Sequence, residues 1–223
     1  MLQLHKKYSR LPQDALPSTK EGTGRGAERL QHPPLARRFS VIVLSLLCVL
    51  LWTGCTKNTE FAKVYTIVKE GTLQPGATIP LPEGEPVLTV SGKIGTTNAD
   101  GAIVMDRPTI ESVGLVEYHV QDPFANHDIL YRGVLMRDLL KLWQTDDDAK
   151  TVRLIALNDY QIDIPIEDFS TYPVLFALQA DGVYMEADYQ GPAMLVYPID
   201  NYDFDPIAIK RRWIWQIKKI ELE

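Results

Sequence analysis

Beyond residue 86, apolar and polar side chains alternate in short runs separated by turn residues, the period-two pattern of half-buried strands. Residues 87–94 (VLTVSGKI) alternate in this way and end at the turn-rich loop Gly95–Gly101. Residues 102–107 and 113–121 are predicted as short strands, with a helical turn over 109–113 and a polar loop over 122–128. Residues 151–157 (TVRLIAL) predict a strand, Asn158-Asp159 a turn, and 160–166 the returning strand of a hairpin. Residues 174–180 and 183–187 flank Asp181-Gly182, a two-residue hairpin signal, because both residue types tolerate the left-handed backbone such a turn needs. Residues 193–199 (AMLVYPI) read as a buried strand. Residues 212–222 read as a closing strand, with Trp213, Trp215 and Ile217 on one face.

One segment breaks this period. In 133–143 (GVLMRDLLKLW), Val134, Leu135, Leu139, Leu140, Leu142 and Trp143 give a broad apolar face, with Arg137, Asp138 and Lys141 largely opposite. The spacing predicts a helix at about 133–144. The expected fold class is therefore α+β, mostly β with one clear helix.

The first third of the chain has another character. Residues 41–52 (VIVLSLLCVLLW) form an apolar run preceded by Arg37 and Arg38, the plan of a signal peptide. The run is shorter than the ~20 residues a spanning helix needs. It ends in Leu51-Trp52-Thr53-Gly54-Cys55, which resembles a bacterial lipobox, where a cysteine is acylated and the chain is cut in front of it. Gly54 and Thr53 are suitably small, whereas Trp52 departs from the Leu-like residue usual there. An uncleaved membrane anchor is the alternative. Thr56, in place of Asp, resembles the pattern of outer-membrane sorting in a Gram-negative host. The expected organisation is a disordered n-region and signal peptide (1–54), a lipid anchor on Cys55 and tether (55–85) with one short strand at Ala62–Val68, and a domain (86–223). The expected location is the cell envelope, facing the periplasm.

Charge sharpens this division. Residues 1–54 carry eight Lys/Arg and three Asp/Glu, whereas residues 55–223 carry fifteen and twenty-six. So acidic a surface repels phosphate backbones and argues against nucleic acid as a partner. The two cysteines, Cys48 and Cys55, lie in or at the end of the apolar run, so the domain has neither a disulfide framework nor a cysteine-rich zinc site.

No phosphate loop, dinucleotide fingerprint, HExxH or GxSxG motif occurs. His119 and His127 lie close to Asp122 and Asp128, a spacing not diagnostic of a metal. The run Asp146-Asp147-Asp148 reads as a solvated turn. Asp159, Asp163, Glu167 and Asp168 read as a solvated hairpin face.

Five segments in order carry a resemblance: GVLMRDLL (133–140), ALNDYQIDIPIEDF (156–169), ADGVYM (180–185), GPAMLVYPID (191–200) and RRWIWQIKKIEL (211–222). Together they resemble the oxidoreductase molybdopterin-binding domain of sulfite oxidases and their small exported bacterial relatives. The resemblance spans roughly residues 85–223. It implies the sulfite oxidase fold and, in catalytic members, a pterin in a basic cleft with molybdenum bound by one cysteine thiolate.

That cysteine is expected near Val120–Asp122, where this chain reads His119-Val120-Gln121-Asp122. A soft metal centre has no thiolate to use there. His119 is the one substitute ligand the segment offers. The basic residue usual soon after the Gly-Pro pair is also missing, because Gly191-Pro192 are followed by Ala193 and Met194. Arg132, Arg153, Lys210, Arg211 and Arg212 remain as candidate anion contacts. The aromatic inventory of Tyr160, Tyr184, Tyr189, Tyr197, Tyr202, Trp213 and Trp215 suits a binding surface as well as a core. Two expectations follow. One is a degenerate, non-catalytic module that binds a small ligand or a protein partner and holds no cofactor. The other is a molybdopterin-dependent oxidoreductase with an unusual metal ligand set.

Overall fold

A computed structural model describes residues 61–223; the segment expected as a signal peptide, Cys48 and Cys55 lie outside the described residues. Among the described residues the alternating runs become eleven strands: β1 (Thr66–Lys69), β2 (Pro86–Gly92), β3 (Ile103–Asp106), β4 (Leu115–Gln121), β5 (Asp128–Leu135), β6 (Thr151–Ala156), β7 (Gln161–Pro165), β8 (Leu175–Ala180), β9 (Val183–Tyr184), β10 (Met194–Val196) and β11 (Ile217–Leu222). Four short α-helices interrupt them: α1 (Arg107–Glu111), α2 (Met136–Leu142), α3 (Glu167–Thr171) and α4 (Pro206–Arg212). The fold is α+β and mostly β.

The strands form two sheets. One runs β1-β4-β5-β8-β10, with β9 hairpinned onto β8; the other runs β3-β2-β11-β6-β7. Among the described residues every strand pairing is antiparallel except β11 with β2. A single apolar cluster joins residues of both sheets, among them Val90, Leu154 and Ile220 from one and Tyr131, Phe176 and Leu195 from the other, with Leu139, Leu142 and Trp143 beside them. The segment expected as a tether supplies the edge strand β1, paired to β4, and buries Val64 and Ile79.

The two hairpins form at their turn signals. Asp181 and Gly182 both have positive φ, at 50° and 78°, and β9 returns along β8. Asp159, at φ 64°, turns β6 into β7.

The helix expected at 133–144 covers only 136–142, because residues 133–135 complete β5. Gly133 explains the difference. A Cβ there would lie 2.0 Å from the Phe176 carbonyl oxygen, so the glycine lets β5 approach β8 closely. The closing strand expected at 212–222 begins only at Ile217. Before it, Asp205 caps α4 by accepting from the Ile207 and Ala208 amides at 3.0 and 2.7 Å, and Pro206 occupies the first turn. Asp168 also departs from expectation. It lies on α3, buried, and not on a solvated hairpin face.

Candidate functional site

Three separate stretches of sequence meet at a cleft of about 440 Å³. Its wall is made by Phe124 from the β4–β5 loop, Asn158 and Tyr160 from the β6–β7 turn, and Lys210, Arg211, Trp213 and Trp215 around the end of α4. Each stretch is held from behind.

Asp122 shapes the β4–β5 loop. Its Oδ1 accepts from the Phe124 and Ala125 amides at 2.8 and 2.6 Å, and its backbone pairs with His127 and Asn126. Asn126 takes a positive φ of 58° to close the loop. The other carboxylate oxygen accepts from the Tyr131 hydroxyl at 2.8 Å. Burial, and then this bond, push the Tyr131 hydroxyl well above its ordinary pKa, so it remains a donor. Phe124 is thereby presented against Trp215, ring to ring at 5.2 Å and 76°, an edge-to-face pair.

The segment after α4 is stitched on both sides. Ile214 accepts from the Leu195 amide at 2.9 Å, and Gln216 accepts from the Leu157 amide at 2.8 Å. The Gln216 side chain donates to the Ala187 carbonyl at 2.8 Å. The α4 end is pinned by Arg212, whose Nη1 donates to Asp168 Oδ2; the same oxygen accepts from the Tyr197 hydroxyl at 2.9 Å. Burial, and then the nearby Asp168 charge, push the Tyr197 hydroxyl well above its ordinary pKa.

The five nominated cations are not brought together. Arg132 donates to Glu117 at 2.6 and 2.9 Å on the face of the first sheet. Arg153 is bound to Asp163 and Glu223. Arg212 is committed to Asp168. Only Lys210 and Arg211 line the cleft, both exposed and neither engaged in an ion pair among the described residues. At the same wall, the indole N–H of Trp213 is buried without a hydrogen-bond partner among the described residues.

A larger recess, about 800 Å³, lies between β2, α1 and the 186–192 segment, but each of its cations faces a carboxylate. Arg107 lies over the Tyr184 ring at 4.2 Å and faces Glu186 at 4.0 Å, its buried Nε without a hydrogen-bond partner among the described residues; Lys218 pairs with Asp159, and Lys219 with Glu221. Of the two, the smaller cleft is the one whose cations have no ion-pair partner among the described residues.

Molybdopterin, the cofactor the sequence resemblance implies, does not fit the donors present. No cysteine follows Cys55, and of the residues near the expected ligand position Val120 is apolar and buried, Gln121 is an exposed amide, and Asp122 is fully buried and saturated by two amides and a hydroxyl. Met194 is buried in β10 where a cation is expected. His119 pairs with Asp128 at 3.1 Å and lines a separate polar recess with Glu117 and Asp200. Among the described residues no three His, Cys, Asp or Glu side chains are grouped to hold a metal.

No family model matches the chain, and no curated protein sequence matches it. Among solved structures it is similar to the sulfane dehydrogenase SoxCD from Paracoccus pantotrophus, at 14 % identity and a TM-score of 0.47. The similarity covers 66 % of this chain and 40 % of that one.

Proposed function

We propose that this protein is an envelope lipoprotein whose domain is a non-catalytic binding module on a sulfite-oxidase-type fold. Its site is the cleft between Phe124, Tyr160 and the end of α4, and its ligand is an anion with an apolar body. The five ordered sequence segments support the fold assignment, and the lipobox-like residues ending in Cys55 support the envelope location.

One observation carries the binding reading. In a region with eleven more acidic than basic residues, two adjacent cations on the wall of an aromatic cleft have no ion-pair partner among the described residues. Exposed like charges held side by side repel each other, and they gain most when an anion joins them. Trp213, Trp215, Phe124 and Tyr160 supply flat apolar surface next to that charge. The enzyme alternative needs a metal ligand near the cleft, and His119 lines a different recess.

Calorimetric titration of the full chain in detergent micelles with naphthoate, a flat aromatic carboxylate, tests the reading. Binding that disappears in Lys210→Glu/Arg211→Glu supports it. No heat above dilution, or equal binding by the charge-reversed variant, sinks it.

A further inference from the structure

We infer that the occupant of this cleft is an acidic peptide segment of another protein, anchored by one aromatic side chain. This rests on the binding reading above and names its partner.

The cleft is apolar on its rim as well as its floor. Phe124 and Tyr160 line it while remaining 44 % and 53 % exposed. Ile207 is 69 % exposed and lies three and four residues before Lys210 and Arg211, which puts all three on one face of α4. A small ligand enclosed by the cleft covers the floor and leaves this rim in water. A chain that crosses the cleft covers the exposed Phe124 and Tyr160 as well, and exposed apolar surface of this kind marks protein contact sites. A cluster of aromatic side chains with an adjacent Arg is also the composition of binding hot spots.

Charge decides the sign of the partner. Lys210 and Arg211 ask for carboxylates, and the acidic remainder of the domain repels any acidic chain that does not engage them. The cleft, at about 440 Å³, has room for an aromatic anchor, and its edge-to-face Phe124–Trp215 wall offers it flat contact.

Fluorescence anisotropy with the full chain in detergent micelles tests this. The probe is a fluorescein-labelled peptide with one tryptophan flanked on each side by two glutamates; the control carries glutamines instead. The glutamate peptide is expected to bind at least about tenfold more tightly than the control. Lys210→Glu/Arg211→Glu is expected to erase that difference, and Phe124→Ala to weaken the glutamate peptide several-fold. Both changes are at exposed positions, so folding is checked simply by an unchanged melting temperature. Equal affinity for the two peptides overturns the inference. So does naphthoate binding without peptide binding, which leaves the small-anion reading standing. Failure of peptide and naphthoate alike sinks both.

Discussion

The Tyr131 hydroxyl donates to Asp122 at 2.8 Å, with both residues fully buried, and this bond holds the β4–β5 loop against the core. It joins the strand behind the cleft to the loop that presents Phe124. Asp122 belongs to the 120–122 segment, near which the sequence resemblance implies a metal ligand.

Removing the hydroxyl isolates the consequence. Tyr131→Phe leaves a buried carboxylate oxygen without its donor and is expected to cost about 1–3 kcal/mol. Urea unfolding checks this as a lowered midpoint at unchanged slope. A midpoint equal to that of the native chain contradicts the role.

Asp168 anchors the other side. Asp168→Ala strips Arg212 and the Tyr197 hydroxyl of their shared acceptor. Breaking a buried ion pair costs about 3–5 kcal/mol, but Arg212 keeps 29 % exposure, so a loss of about 2–3 kcal/mol is expected. Naphthoate affinity is expected to fall in parallel, because Lys210 and Arg211 sit on the turn that this pair holds. Calorimetry on the folded fraction checks the second effect.

Asp106 sets an acid limit. It is buried, and the Thr109 bond, with further amides of Glu83 and Gly84, outweighs burial and holds its carboxyl at about 2, against 3.8 ordinarily. A group depressed in the folded state stabilises the fold above its unfolded pKa and loses that contribution as pH falls through the folded value. About 2 kcal/mol of stability is therefore expected to drain away between roughly pH 4 and pH 2. Asp106→Asn is expected to lower stability at neutral pH and to flatten this acid limb, which thermal melts at stepped pH will read.

The proposed lipid anchor on Cys55 has its own test. Cys55→Ser is expected to abolish incorporation of labelled palmitate and to release or misprocess the protein. Unchanged membrane association at the same apparent mass excludes lipidation.

Local signals in the sequence account for much of the fold. The hairpins at Asn158-Asp159 and at Asp181-Gly182 follow from residue types that accept left-handed backbone, which Asp159, Asp181 and Gly182 adopt. The short helices were less visible, although Asp205-Pro206 and Asp106 followed by Pro108 are helix-start signals. Helices this short show too little of a 3.6-residue period to compete with the strand pattern around them. Gly133 misled in the opposite direction, because its purpose, close contact with Phe176, lies on a strand distant in sequence. The site was half legible. The basic run at 210–212 was visible, but the split between a pinned Arg212 and the free Lys210 and Arg211 depends on Asp168, 44 residues upstream of Arg212. The Asp122 loop that delivers Phe124 to Trp215 is likewise a product of tertiary hydrogen bonds that no spacing rule reveals.

The most direct measurement is the molybdenum and pterin content of the full chain purified from cells able to make the cofactor. Molybdenum and pterin at background are expected, with naphthoate binding intact. Stoichiometric molybdenum and pterin contradict the account, and would require a metal ligand that neither Asp122 nor His119 supplies in this arrangement.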